Sequence, residues 1–216
     1  MDKSSLDYAG FRHEYIGAGL RRANLDPDPI KQFENWFTAA FEAHILDANA
    51  MTVATCADGK PSARVVLLKD FDQRGFVFFT NYASEKGQQL EKNPNVALVF
   101  YWMEVERQIR IQGAVEKTSR EESGKYFHSR PIGAQLGAWA SPQSQAIDGR
   151  RVLDARLEEM KQRFADGPVP LPPHWGGFRV KPERIEFWQG RPDRLHDRFR
   201  YTLQKNGSWS VERLAP

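Results

Sequence analysis

Apolar positions along this chain follow two periods, and the change between them divides the sequence. Ile30, Phe33, Phe37, Phe41 and Ile45 recur at helical spacing behind Pro27 and Pro29. Pro29 suits a first helical position, where its missing N–H would find no intrahelical partner in any case. The spacing predicts an amphipathic helix with that stripe in the core. From Met51 the period shortens to β runs broken by turn residues: MTVATC before ADGKP, ARVVLLK before DFDQRG, then GFVFFTN. Ser84 caps a short polar helix, SEKGQQLEKN, that stops before Pro94. NVALVFYWM and RQIRIQGAVEKT then resume the sheet.

Ser119 and Glu122 have the spacing of a capping box, which starts a helix through Phe127. Pro131 interrupts it and opens a second helix toward Ala140. Leu153, Leu157, Met160 and Phe164 mark another amphipathic helix. After the proline-rich DGPVPLPPHW, the sheet finishes with GGFRVKPERIEFWQG, RLHDRFRYTLQ and SWSVERL. Three consecutive hairpin-like connections point to an antiparallel sheet closed as a barrel. Residues 3 to 22 are polar and read as a helix or a mobile arm. With no internal repeat and no second core, the expectation is one domain over residues 1–216, with a polar N-terminal arm at about 1–25. Its class is mainly β with flanking helices, that is α+β.

Composition narrows the partners. A hydrophobic content of 40% in 216 residues suffices for a real core. The net charge of +3 is too small for a polybasic tail and suits a phosphorylated small molecule as well as nucleic acid. Cys56 is the only cysteine, which excludes an internal disulfide and a cysteine-based metal cluster. MDKSSLDYAG has no apolar leader region, and nowhere do eighteen apolar residues run together. The expectation is a soluble, cytoplasmic protein without a membrane partner.

Candidate chemistry concentrates in RLHDRF. Arg194, His196 and Arg198 alternate, and on a strand they would share one face along a track of about 13 Å. Such a row asks for an anionic partner; the competing reading is a solvated edge strand whose charges discourage aggregation. Arg64 and Lys69 bracket RVVLLK, and five residues apart on a regular strand they face opposite sides. They serve two anionic sites, or one of them is a solvated strand end. Lys86 sits in the first turn of a helix, unfavourable to the dipole unless an anion lies between. In KYFHSRP, Tyr126 and Arg130 share a helix face if the last turn survives as far as Pro131, and a hydroxyl beside a guanidinium can hold a phosphate. Gln108, and Gln143 with Ser144, can address the edge of a heterocycle. Trp188 either packs on a planar ring or fills the core. No GxGxxG, Walker loop, HExxH, GxSxG or CxxC is present.

Taken in order, RVVLLK, FFTN, ERQIRI, KYFHSRP, QLGAWAS, WGGFRV, IEFWQG and RLHDRF resemble the pyridoxine (pyridoxamine) 5′-phosphate oxidase family over nearly the whole chain. The resemblance implies an antiparallel FMN-binding split barrel, a homodimer with FMN at the subunit interface, and no nucleic-acid partner. It implies oxidation of pyridoxine 5′-phosphate or pyridoxamine 5′-phosphate by dioxygen to pyridoxal 5′-phosphate and hydrogen peroxide, with hydride passing from C4′ to flavin N5. Arg64, Val65, Val66, Leu67, Leu68 and Lys69 would embrace FMN, with Arg64 on its phosphate. Phe79, Thr80, Lys86, Gln108, Gln143, Ser144, Trp188 and Arg198 would complete the flavin site. Lys69, Tyr126 and Arg130 would hold the substrate phosphate, and Arg194 and His196, the catalytic pair, would meet the pyridine ring. Arg12 and Tyr15 match an arm that covers the substrate. Glu85 stands where the family usually has a basic residue, and Ala134 where it usually has a serine. The rival readings are a non-catalytic flavin-binding split barrel, which retention of Tyr126, Arg130, Arg194 and His196 argues against, and a nucleic-acid-binding barrel with aromatic platforms.

Overall fold

The structure, a computed structural model, describes residues 10, 14–17 and 19–216. Helix α1 (Pro29–Glu42) begins on Asp28, whose side chain accepts the Ile30 N–H, and has proline at its first position. Its buried face is Ile30, Phe33, Trp36 and Ala40. Phe41, expected in the core, is 71% exposed, and Ile45 lies beyond the helix end. Centring on Phe33, Trp36 and Ala40 turns the helix so that Phe41 falls at the solvent edge.

The chain forms two compact units, each assembled from separate segments. The larger comprises Asn49–Phe100 and Ile111–Arg184. Its strands are β1 (Ala50–Ala57), β2 (Lys60–Leu67), β3 (Asp70–Asp72), β4 (Gly75–Asn81), and parts of β5 (Asn95–Trp102), β6 (Arg107–Lys117) and β7 (Trp175–Gln189). They run in the order β2-β1-β5-β6-β7-β4-β3. β1 and β2 form a hairpin in register Ala57↔Lys60, and its link is Asp58-Gly59 with φ of 53° and 73°. Both residues are left-handed, as a tight two-residue hairpin requires. β1 buries Met51, Val53 and Thr55 on one face, the period-2 pattern read from the sequence. DFD, expected to be turn, instead pairs with β4 as a three-residue strand.

Four helices belong to this unit: α2 (Glu85–Lys92), α3 (Arg120–Ser129), α4 (Ile132–Ala140) and α5 (Arg150–Arg163). Ser84 caps α2 through Gly87 N–H, and the Ser119–Glu122 capping box at α3 is complete in both directions. Phe127, Leu136, Ala140, Met160, Val169 and Trp175 form a hydrophobic cluster under the later helices.

The smaller unit comprises residues 1–48, 101–110 and 185–216. Within it β8 (Asp197–Leu203) pairs with β7 and with β9 (Trp209–Leu214). Trp36 meets Phe187 edge-on, Phe187 meets Tyr201, and the Tyr201 hydroxyl donates to Asp26 O at 2.7 Å. The expected strand row of Arg194, His196 and Arg198 does not form, because β8 begins only at Asp197. Pro192 opens a short 3₁₀ turn through Arg194, and Asp193 and Arg194 adopt φ of 55° and 63°, which breaks the alternation.

Candidate functional site

A cleft of about 630 Å³ opens in the larger unit. Arg64, Val65, Val66 and Leu67 line it from β2, the last strand at one end of the order. Val65 is 67% exposed, an apolar side chain available to a flat ligand. Lys69, Phe79, Thr80, Lys86, Tyr126, Arg130, Gln143 and Ser144 complete the wall, so twelve of the residues singled out from sequence meet here. Ser62, Ala63, Glu85 and Trp175 line it as well. Leu68 does not: it is buried, and its backbone N–H and C=O are both bonded to Asn49. β2 ends at Leu67, and Lys69 N–H instead donates to Val77 O in β4 at 2.9 Å. The face argument for Arg64 and Lys69 therefore fails in its premise of one strand, although both reach the cleft.

One end of the cleft is built for an anion. Arg64 is held by neutral oxygens: Nη1 donates to Thr55 Oγ1 at 2.7 Å, and Nη2 to Ser62 Oγ at 2.8 Å and Gln89 Oε1 at 2.9 Å. Lys86 is buried on the first turn of α2, and its Nζ donates to Thr80 Oγ1 at 3.1 Å. Burial, with Arg64 beside it, holds the Lys86 ammonium below the usual lysine range, while Glu85 pulls the other way. Two cations side by side gain from a dianion between them. Gln143 Oε1 accepts from Thr80 Oγ1 and Asn81 N–H, which fixes the loop that carries Ser144 in the left-handed region at φ 71°.

The other polar group surrounds an aromatic stack. Tyr126 and Phe79 lie parallel at 4.1 Å, Phe79 and Trp175 at 5.4 Å, and the Arg130 guanidinium sits 4.8 Å over Trp175. Lys69 Nζ is 6.0 Å from the Tyr126 ring centre. α3 ends at Ser129, so Arg130 is extended (φ −77°, ψ 150°) and does not share a helix face with Tyr126. Pro131 imposes this on its predecessor. Arg130 Nη1 is buried without a hydrogen-bond partner, and burial lowers the guanidinium from its usual range. An unpaired buried donor is costly unless a ligand satisfies it. Ala134, half-buried on α4, is not among the residues lining the cleft.

The remaining candidates belong to the smaller unit. His196 packs against Trp188 at 4.6 Å and edge-on to Tyr15 at 5.2 Å. Its Nδ1 accepts the Arg191 N–H at 3.1 Å. Burial, and then Arg194, holds the imidazole below its ordinary pKa. Arg194 itself is exposed. Arg198 lies in β8, but its donors are engaged by Glu186 Oε1 at 2.9 Å and Ala215 O at 2.8 Å. Gln108 is half-buried in β6. Arg12 lies outside the described residues. Sequence reasoning passed over Trp175, whose ring closes the stack, and Gln89, which holds Arg64; neither stands in a spacing pattern that marks it.

The donor set suits FMN: Arg64, Lys86 and Ser144 for a phosphate, Val65 to Leu67 and Phe79 for a flat ring system. Two solved structures share the fold. PhzG from Burkholderia lata 383, in complex with tetrahydrophenazine-1-carboxylic acid, superposes with a TM-score of 0.86 at 30% identity, covering 93% of this chain and 99% of that one. A pyridoxamine 5′-phosphate oxidase-related, FMN-binding protein from Nostoc punctiforme PCC 73102 superposes with a TM-score of 0.70 at 16% identity, covering 89% of this chain and 100% of that one. Fold and cleft together define a flavoprotein of the FMN-binding split-barrel class.

A family model described as pyridoxamine 5′-phosphate oxidase matches residues 37–164, and one described as the pyridoxine 5′-phosphate oxidase C-terminal dimerisation region matches residues 175–216. The pyridoxine/pyridoxamine 5′-phosphate oxidase of Gloeothece citriformis is 57% identical over the whole of both chains. Pyridoxine/pyridoxamine 5′-phosphate oxidase 1 of Ralstonia nicotianae is 56% identical over 96% of this chain and 98% of its own. The chain belongs to the pyridoxamine 5′-phosphate oxidase family, and FMN is its cofactor. None of its described helices is long and apolar enough to cross a membrane.

Proposed function

We propose that this protein oxidises pyridoxine 5′-phosphate or pyridoxamine 5′-phosphate to pyridoxal 5′-phosphate. Dioxygen takes the two electrons and becomes hydrogen peroxide; the amine substrate also consumes water and releases ammonia. The observation that carries this reading is the buried, unpartnered Nη1 of Arg130 in a cleft that Lys69 and Tyr126 also line. A phosphate accepts from all three side chains, through charge-assisted bonds at Arg130 and Lys69.

FMN supplies a two-electron acceptor for the hydride that leaves the substrate C4′ carbon. Arg64 and Lys86 hold the flavin phosphate, with Ser144 as a further donor, and Val65 to Leu67 and Phe79 line its ring. Gln108, Trp188 and Arg198 are assigned to the same cofactor. The protein acts as a homodimer with FMN at the subunit interface, consistent with the dimerisation region matched at residues 175–216. Lys69, Tyr126 and Arg130 fix the substrate by its phosphate, so the pyridine ring arrives oriented rather than free. Arg194 and His196 meet that ring, and Tyr15, with Arg12, covers it. His196 Nδ1 is occupied by the Arg191 N–H, so neutral His196 carries its proton on Nε2 and offers a donor to the ring.

Steady-state peroxide release from the FMN-loaded protein tests the proposal. The expected result is turnover with either phosphorylated vitamer and little with unphosphorylated pyridoxine. Turnover of a tricyclic carboxylate, with none of the phosphorylated vitamers accepted, would overturn it.

A further inference from the structure

We propose that Glu106 is a positioning residue that anchors the N-terminal arm and so sets Tyr15 beside His196; the inference rests on the assignment of Tyr15 to the substrate cover. Glu106 lies in the connection between β5 and β6 and is 6% exposed. Its carboxylate accepts the Ile16 N–H at 3.0 and 3.1 Å and the Gly17 N–H at 2.8 Å, ninety residues away in sequence. Its carbonyl accepts the Gly190 N–H at 2.8 Å. One residue thus ties the arm to the end of β7, where Trp188 packs edge-on to Tyr15 at 5.5 Å.

Three features show that the contact is built rather than incidental. Glu106 holds φ 55° and ψ 41°, a left-handed conformation that a glutamate adopts at a cost and that glycine or asparagine would fill more easily. A glutamate there makes sense through its carboxylate, which accepts the arm's Ile16 and Gly17 N–H groups. The seat is also closely fitted: a Cβ on Gly17 would lie 2.6 Å from Gln189 Nε2 and 3.0 Å from Glu106 Oε2. A Cβ on Gly190 would lie 2.5 Å from the Tyr15 ring. Finally, a carboxylate that accepts two successive backbone N–H groups binds by charge-assisted bonds, stronger than neutral ones and weakened when the acceptor becomes an amide.

The test uses Glu106→Gln in the FMN-loaded protein, with hydrogen exchange at single amides and steady-state kinetics on one preparation. The Ile16 and Gly17 amides should exchange roughly tenfold faster, with the β8 and β9 amides unchanged. KM for pyridoxine 5′-phosphate should rise roughly tenfold and kcat change by less than about twofold, as expected when uniform binding is lost. Gly17→Ala leaves Glu106 intact but crowds its seat, and should produce the same KM rise; it keeps the test alive should Glu106→Gln fold poorly. Unchanged exchange at Ile16 and Gly17, or faster exchange with an unaltered KM in both variants, would overturn the proposal. No turnover in the parent would instead count against the proposed function, and the exchange rates alone would then decide whether Glu106 holds the arm.

Discussion

Gln89 Oε1 accepts Arg64 Nη2 at 2.9 Å, and that bond sets the guanidinium at the anion-binding end of the cleft. The same amide donates through Nε2 to Glu85 Oε1 at 2.9 Å, so the carboxylate that departs from the family pattern steadies Arg64 at one remove. Thr55 Oγ1 completes the arrangement, bonding Gln89 Oε1 at 2.6 Å.

Gln89→Leu should therefore weaken FMN binding about tenfold, because a hydrogen bond to a charged group is worth about 1.5–3 kcal/mol and Arg64 has other partners to fall back on. Glu85→Gln should change it by less than about threefold, since Glu85 is exposed and its bond is screened. Fluorescence titration of the apoprotein with FMN measures both. Equal losses in the two variants would contradict the order of dependence.

Arg130→Ala should raise KM for pyridoxine 5′-phosphate roughly ten- to a hundredfold, the value of a lost charge-assisted contact. It should cost little stability, because the residue removed carries an unpartnered buried donor. Kinetics and urea unfolding on the same variant separate the two effects. A large fall in stability with an unchanged KM would assign Arg130 to the fold and not to the phosphate.

His196 gives a signed pH dependence. Its folded-state pKa lies below the ordinary 6.5, so the unfolded chain binds the extra proton first and acidification below that value works against the native form. A proton on Nδ1 would face the Arg191 N–H that it now accepts. kcat/KM should fall on an acid limb below pH 6.5. His196→Gln, which can place an amide donor near the Nε2 position, should keep more activity than His196→Ala and lose that limb. An acid limb that survives in His196→Gln would assign it to another group.

Arg179 is 3% exposed and bridges Asp72 at 3.1 Å and Glu122 at 2.8 Å. Arg179→Met should destabilise by about 1–3 kcal/mol, less than a fully buried pair because both carboxylates can rehydrate. The carboxyl pKa values of Asp72 and Glu122 are lowered by their hydrogen bonds and by Arg179 and Arg74, against the opposing effect of burial. Their contribution is complete above the ordinary carboxylate range and lost as pH falls through the lowered values. Urea unfolding at pH 7 and pH 3 should show the difference between parent and variant shrink in acid.

Local chemistry was legible along the chain wherever neighbours in sequence decide it. Pro29, Ser84, the Ser119–Glu122 pair and the Asp58-Gly59 hairpin each state their own geometry, because caps and tight turns close within four residues. The motifs that carry the family resemblance named most of the cleft wall for the same reason: they are short stretches of one strand, helix or loop. Tertiary structure alone decided the rest. Whether Phe41 is buried depends on how far the packed face of α1 turns, which Trp36 and Phe187 settle. Whether RLHDRF begins as strand depends on where β8 finds its partners, and they admit it only from Asp197. Gln89 acquires its importance from Arg64, twenty-five residues away, and Glu106 from Ile16, ninety away. Such long-range hydrogen bonds leave no periodic trace, since any polar residue at an exposed-looking position reads alike until the fold brings its partner to it.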